Sequence, residues 1–259
     1  MVVEAFLLGG FISHQIKYKL NLKNKLKMKK LLMLLALVFT TSMFAQEYYW
    51  TTYSFNVDPE DEEIVTKLVN DYFSSPNSKA DGVTVYLFEN HFKDNDINSS
   101  HQIAFTGTLD AMGNQYAQGE NLNWDLFLTK LSQYTEAFSS AGGNSLISIG
   151  EPGSHPIQNI VWFDVENEAK FGAAWKKYFE KFAPKDQRKT LGKFRLGRSP
   201  LGETHYGLTG VNDFKTAFNP GISNNGNKAA QAAWEVFMDE VEGIVKIVRT
   251  QTRVMIGKW

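Results

Sequence analysis

Apolar residues recur at every second position in several short segments of the chain, and this alternation predicts β-strands. We place the first three strands at about residues 48–57, 83–90 and 102–108. Successive side chains of a strand point to opposite faces of its sheet. In the first two segments both sets of side chains are largely apolar, which predicts a sheet that is buried on both faces.

Apolar residues spaced three and four positions apart predict two amphipathic helices between these strands. Asp58-Pro59 is a typical helix start, because Asp is a favoured N-cap and Pro suits the first helical position. This helix is predicted to end near Phe73, and a second helix to run from Trp124 to about Ser139. Ala141-Gly142-Gly143-Asn144 is interpreted as a turn before a fourth strand at about residues 146–149.

The same pattern recurs in the second half of the chain. The clearest match pairs Trp124–Leu131 with Trp234–Val241, where the large apolar positions coincide. Shorter matches follow in the same order, and one of them pairs His101 with His205. We therefore predict an internal duplication in which each copy has the order β-α-β-β-α-β.

This order of elements resembles the dimeric α+β barrel superfamily in a tandem, single-chain form. The resemblance covers residues 47–259 and rests on element order and repetition. We predict an α+β fold with a first ferredoxin-like unit in residues 46–152 and a second in residues 157–259. Their antiparallel sheets are expected to pack face to face as an intramolecular α+β barrel. Because one chain supplies both units, a monomer is expected.

The resemblance implies more about fold than about function. Members of the superfamily include cofactor-independent monooxygenases, haem-degrading oxygenases, chlorite dismutase-like haem proteins and muconolactone isomerase-like enzymes. Their ligands lie within the barrel or between a sheet and its covering helices, so the resemblance implies a ligand at one of these places. One fold that hosts several chemistries does not define a reaction.

The N-terminal residues have the pattern of a secretory signal peptide. Met28-Lys29-Lys30 is basic, Leu31–Phe39 is an unbroken apolar run, and Thr40–Ala45 is a small and polar exit. This order predicts export to the periplasm or beyond, with cleavage after Ala45. The apolar run is shorter than the roughly 20 residues of a membrane-spanning helix. A single N-terminal anchor is the alternative.

Residues 1–27 fit no part of this leader, so we predict that translation starts at Met28, with a long basic leader as the alternative. Residues 1–45 hold seven Lys and one Glu, and without them 20 basic and 27 acidic residues remain. The net charge is then −7, against −1 for the whole chain. An acidic chain without a basic cluster is unsuited to nucleic acid or to anionic membranes.

No Cys is present, which excludes disulfides, thiolate metal sites and Cys nucleophiles. Histidines are therefore the main candidates for catalysis. His101 and His205 fall at equivalent strand starts, and His91 follows the second strand. A neutral His can act as a base, a metal ligand or an axial haem ligand, and Glu89 could orient His91 or His101. A solvated strand-edge His without a chemical role is the alternative, and no metal site is predicted.

Candidate ligand-binding residues lie on the strands and in two long connections. Tyr86 and Glu89 belong to the second strand, and Lys193 and Arg195 alternate in the second copy, where they could bind a carboxylate or phosphate. A solvated strand face is the alternative for this basic pair. Residues 109–123 and 211–227 are predicted to be long loops that could close over a pocket, and they carry Tyr116 and Phe218.

Four functions are compatible with these features. A small-molecule binding protein requires an apolar cavity, and a cofactor-independent oxygenase or isomerase requires ionisable groups that converge on it. A haem protein requires a buried His that faces the cavity, and a structural module has a filled interior. We favour binding of a small molecule, because no catalytic constellation is evident. No cofactor is predicted, with haem as the alternative.

Overall fold

A computed structural model describes residues 47–93, 99–117, 119, 121–150, 155–197, 201–219 and 227–259. The leader, its cleavage site and the start at Met28 lie outside these residues, so the structure does not bear on them. Among the described residues, no helix combines the length and apolarity that a membrane span requires.

The first half of the described chain contains four strands and three α-helices. Asp58 precedes a short 3-10 turn, Pro59–Asp61, which leads into the first helix. The elements are β1 (Tyr49–Asn56), α1 (Glu62–Phe73), β2 (Thr84–Lys93), β3 (His101–Gly107), α2 (Leu109–Ala117), α3 (Leu122–Leu131) and β4 (Glu136–Ile149).

The second half follows the same order of elements. It comprises β5 (Ile157–Val165), α4 (Glu168–Phe182), β6 (Arg188–Leu196), β7 (His205–Val211), α5 (Phe214–Phe218), α6 (Lys228–Val241) and β8 (Val245–Lys258). Asn side chains cap three helices by accepting hydrogen bonds from backbone N–H groups in the first turn, which leaves fewer of these donors unsatisfied. The three are Asn121 at α3, Asn167 at α4 and Asn227 at α6.

All eight strands join into one closed antiparallel barrel in the order β1-β3-β2-β8-β5-β7-β6-β4. The two halves meet where β2 pairs with β8 and where β4 pairs with β6. β4 and β8 each have 14 residues and are long enough to pair with a strand of each half. The predicted fold class, an α+β barrel of two βαββαβ units, is confirmed.

The start of β4 corrects the sequence prediction. The helix expected to reach Ser139 ends at Leu131, and β4 already begins at Glu136. The expected turn at Ala141–Asn144 lies inside β4. A Cβ atom at Gly143 would come within 2.7 Å of Cζ2 of Trp50, so this glycine allows close packing within a strand and does not mark a turn.

The two expected long loops contain helices in the described part of the chain. Residues 109–123 include α2 and the first residues of α3, and residues 211–227 include α5. The helix α5 begins after Asp213, whose side chain accepts a hydrogen bond from the Thr216 backbone N–H at 2.7 Å. Short helices with polar surfaces lack a long apolar stripe, which explains why the apolar pattern did not reveal them.

Helices cover the outside of the barrel and bury one apolar cluster in each half. The first cluster contains Val65, Val69 and Phe73 of α1 and Phe127 of α3. The second is built on α4 and α6 and includes Trp175 and Phe237. Burying a large apolar side chain contributes roughly 1.5–3 kcal/mol, so these clusters are the main source of stability. Trp124 packs against the first cluster and Trp234 against the second.

Candidate functional site

The barrel encloses a cavity of about 140 Å³, to which all eight strands contribute lining residues. Side chains at alternate positions of each strand point inward, which is why one strand supplies both cavity and outer residues. A cavity of about 150 Å³ is large enough to hold benzene. We call this space the barrel cavity. It suits a ligand of about one ring.

One wall of the barrel cavity is an aromatic cluster from three strands. Trp50 of β1 makes edge-to-face contacts with Phe194 of β6 and Tyr206 of β7, each with ring centroids 5.4 Å apart. Phe194 and Tyr206 are 6.0 Å apart. Across the interior, Tyr86 and Phe88 of β2 stack at 5.8 Å. Offset and edge-to-face arrangements are the preferred geometries of aromatic pairs.

Arg253 of β8 is the central polar residue of the barrel cavity. Its Nε donates to Oε1 of Gln158 at 2.9 Å, and its Nη1 donates to Oε1 of Gln102 at 2.8 Å. The guanidinium carbon lies 3.8 Å from the ring centroid of Phe88. The two amides and the ring hold the guanidinium in one position, with a cation–π contact on one face.

No carboxylate of the described residues forms an ion pair with Arg253. Desolvation by burial lowers the pKa of its guanidinium to about 10, which still leaves it protonated at neutral pH. A second guanidinium, that of Arg188, also lines the cavity, and its Nε donates to Oγ1 of Thr190 at 3.1 Å. The described lining residues include no Asp, Glu, His or Lys. The interior is therefore positively charged although the chain is acidic.

Two of the four tyrosines that line the cavity, Tyr86 and Tyr206, are buried and held in their neutral form. Burial raises the pKa of Tyr206, and the neighbouring Ser145 side chain and the positive charge of Arg188 oppose this only in part. Burial likewise raises the pKa of Tyr86, opposed by a hydrogen bond with Thr106. At neutral pH both phenols are protonated and can donate hydrogen bonds to a ligand.

Polar pairs fill the interior beside the cavity. Arg249, on the same face of β8 as Arg253, forms an ion pair with the fully buried Glu203 and lies 4.5 Å from the ring centroid of Trp162. Between the two arginines, Gln251 donates a hydrogen bond to Oδ1 of Asn90. Arg249 therefore has a carboxylate partner, in contrast to Arg253.

A second pocket lies on the outside of the barrel, and we call it the outer pocket. It has a volume of about 220 Å³ and is lined by residues that include Tyr53, Phe105, Tyr116 and Trp124. The hydroxyl of Tyr116 is 2.6 Å from Oγ1 of Thr51 and 2.9 Å from the hydroxyl of Tyr53. Tyr116 is thus placed at a pocket between the sheet and the helices.

His101 and His205 do not line the barrel cavity. Each is buried at the start of its strand, opposite Phe55 or Phe163 in the neighbouring strand. Nδ1 of His101 is 2.9 Å from the hydroxyl of Ser100, and Nδ1 of His205 is the same distance from that of Thr204. Burial lowers the pKa of both imidazoles.

Glu168 connects His205 to the basic residues of β6. Its carboxylate lies 3.2 Å from Nε2 of His205 and 2.8 Å from Nζ of Lys193. The hydrogen bond from Lys193 is the main reason that the pKa of Glu168 is lowered. Nε of Arg195 donates to Oδ1 of Asn144 at 2.5 Å. Lys193 and Arg195 thus have protein partners outside the barrel.

His91 and Phe218 are exposed, Glu89 is partly buried, and all three lie away from the barrel cavity. Nδ1 of His91 is 3.4 Å from Oε1 of Glu89, and its ring is 5.2 Å from that of Phe214. Phe218 is 77% exposed and lies 6.1 Å from Phe92. Of the nine candidate residues from the sequence, only Tyr86 lines the barrel cavity, and only Tyr116 lines the outer pocket.

The barrel cavity does not fit a metal or haem site. Among the described residues, no group of three or more His, Asp or Glu side chains could hold a metal ion. No described His faces the cavity, and the buried rings of His101 and His205 already have hydrogen-bond partners.

Sequence reasoning missed the residues that define the cavity, which include Trp50, Gln102, Gln158, Tyr206 and Arg253. One signal was available. Arg253 alternates with Gln251 and Met255, so three long side chains share one face of β8. Gly192 in β6 was another such signal, because glycine within a strand often marks the close approach of a neighbouring group.

Comparison with known proteins supports the fold and goes no further. A proposed monooxygenase from Lactobacillus acidophilus matches 82% of this chain and 95% of its own, with a TM-score of 0.54 and 11% identity. An anthrone oxidase-like protein matches 83% and 94%, with a TM-score of 0.51 and 12% identity. A proposed monooxygenase from Fusobacterium nucleatum matches 83% of this chain and 95% of its own, with a TM-score of 0.55 and 15% identity.

At these identities the similarity shows a shared fold alone. The chain therefore has the fold of the dimeric α+β barrel proteins, with both units in one polypeptide. No protein-family model matches the chain, and a search of curated proteins gave no match.

Proposed function

We propose that this protein binds a small organic molecule inside the barrel and acts as a binding or carrier protein. The observation that carries the proposal is the barrel cavity, a space of about 140 Å³ with aromatic walls and a few convergent polar groups. Ligand sites typically combine apolar walls with a small number of fixed polar groups. The interior of a small barrel is otherwise filled by side chains.

The ionisable groups of the cavity support binding over proton abstraction. A general base needs a pKa near the working pH. The pKa of Arg253 stays at about 10, and burial raises the pKa of both Tyr86 and Tyr206. None of these three groups can therefore act as a base at neutral pH.

A cofactor-independent oxygenase or isomerase is the second candidate. One observation favours it, because Arg188, Arg253, Tyr86 and Tyr206 line the same cavity, where cations and hydrogen-bond donors would stabilise a developing anion. Oxygen uptake separates the candidates. A carrier leaves the rate of oxygen uptake at that of the free ligand, whereas an oxygenase consumes oxygen in proportion to product.

Native mass spectrometry of protein purified from its own organism tests the binding proposal. We expect an adduct of small-molecule mass that is lost on denaturation. Ala104→Leu adds volume at a wall of the cavity and should reduce the adduct, whereas Ala137→Leu, at an exposed position of β4, should leave it unchanged. A wild-type protein without an adduct, or equal adducts in all three proteins, contradicts the proposal.

We also propose that the mature protein acts outside the cytoplasm. The proposal rests on the basic, apolar and small-residue order of residues 28–45. Peptide sequencing of protein recovered from the periplasm or the medium should give Gln46 as the first residue. Protein found only in the cytosol with an intact leader contradicts export.

A further inference from the structure

We propose that the ligand of the barrel cavity is an organic acid of about one aromatic ring, with its carboxylate on Arg253 and its ring against the wall of Trp50, Phe194 and Tyr206. This inference rests on the proposed binding function and names the class of ligand. It follows from the charge, the hydrogen bonding and the size of the cavity.

The charge of the cavity calls for an anion. Arg253 is partly buried, and its contacts among the described residues are hydrogen bonds to two neutral amides and one face of an aromatic ring. A partly buried cation loses part of its hydration, and charges withdrawn from water in proteins are normally paired. Arg249, four residues earlier on the same face of β8, has such a partner in Glu203. A ligand carboxylate would give Arg253 a negatively charged partner, as Glu203 does for Arg249.

The hydrogen bonding of Arg253 leaves room for a carboxylate. A guanidinium has five N–H donors in a planar fork. Among the described residues, acceptors engage one donor of Nε and one of Nη1, which leaves three donors available, the second of Nη1 and both of Nη2. Arginine binds carboxylates through two parallel hydrogen bonds. The buried Oγ1 of Thr52 also faces this cavity and has no hydrogen-bond partner among the described groups.

The shape of the cavity selects a flat apolar body. Trp50, Phe194 and Tyr206 present ring edges and faces on one side, and Tyr86 and Phe88 present a stacked pair on another. Aromatic ligands pack well on such surfaces. The volume of about 140 Å³ accommodates one ring.

Isothermal titration with benzoate and with benzamide, a neutral molecule of nearly the same shape, tests the inference. Charge-assisted hydrogen bonds contribute more than neutral ones, so we expect wild-type protein to bind benzoate about tenfold more tightly than benzamide, or better. Arg253→Gln should abolish this preference. Lys246→Gln removes one positive charge at an exposed position of the same strand and should keep it.

Arg253→Lys retains the charge and should keep part of the preference for benzoate, which guards against a folding defect in Arg253→Gln. Equal binding of benzoate and benzamide by the wild type, or an unchanged preference in Arg253→Gln, overturns the inference. If a neutral adduct is found by native mass spectrometry, the binding function stands and only the acid class fails. If neither probe binds and no adduct is found, both fail.

Discussion

The phenol ring of Tyr206 occupies the space that a side chain at Gly192 would need. The two residues are register partners in β7 and β6, and a Cβ atom built on Gly192 would overlap the Tyr206 ring and its hydroxyl. Because position 192 is a glycine, the ring of Tyr206 can lie against β6 and form part of the cavity wall. The position of Tyr206 in the aromatic cluster therefore depends on the lack of a side chain at Gly192.

Gly192→Ala should move Tyr206 and destabilise the barrel by roughly 1–3 kcal/mol, the usual range for overpacking a dense interior. Gly113→Ala is the control, because a Cβ atom there would meet nothing within 4 Å and alanine is the better helix former. Urea unfolding of both variants measures the difference. Equal stability of Gly192→Ala and the wild type would show that the ring of Tyr206 is free to shift.

The ion pair of Glu203 and Arg249 should behave as a buried pair. Arg249→Met leaves a fully buried carboxylate unpaired and should lower the free energy of unfolding by about 3–5 kcal/mol. The double variant with Glu203→Leu removes both charges and should be more stable than Arg249→Met alone. Lys67→Met, in the exposed pair with Asp71, should change stability by less than about 1 kcal/mol.

A double-mutant cycle from chemical denaturation tests this expectation. Strictly additive effects of the two substitutions would mean that Glu203 and Arg249 do not interact in the folded protein. A loss for Lys67→Met as large as that for Arg249→Met would mean that burial does not set the strength of either pair.

His101 should make stability depend on pH. Burial lowers the pKa of its imidazole from the ordinary 6.5. As the pH falls, this histidine therefore takes up a proton more readily in the unfolded chain than in the folded protein. The unfolding free energy should therefore fall as the pH is lowered through about 6.5. His205 contributes in the same direction, with Glu168 opposing the effect of burial.

His101→Asn keeps an acceptor near the hydroxyl of Ser100 and should flatten part of this decline between pH 7 and pH 5. His91→Asn replaces an exposed histidine and is the control. Denaturation midpoints across this pH range provide the measurement. A decline that is the same in His101→Asn as in the wild type would contradict a role for His101.

The succession of strands along the chain could be predicted because the apolar residues of most strands alternate with other residues. The extension of β4 could not, since Glu136–Ser145 consists largely of small and polar residues without a period. This segment is held in the strand by pairing with β1 and β6, which are distant in the sequence, so no local pattern reveals it. Tertiary pairing there outweighs the turn preference of Gly142 and Gly143.

The candidate site was harder to predict than the fold. Arg253 in an isolated strand has the pattern of a solvated residue, and only closure of the barrel turns its face inward. The histidines were conspicuous in the sequence because His101 and His205 recur at equivalent positions. In the structure, hydroxyl groups of the preceding residues bind their rings outside the barrel.

A crystal structure of the protein grown with benzoate is the most direct test of the account. We predict one ligand inside the barrel, with a carboxylate oxygen within hydrogen-bond distance of Nη2 of Arg253 and the ring beside Trp50 and Tyr206. An empty barrel with the ligand in the outer pocket at Tyr116 would contradict the central claim.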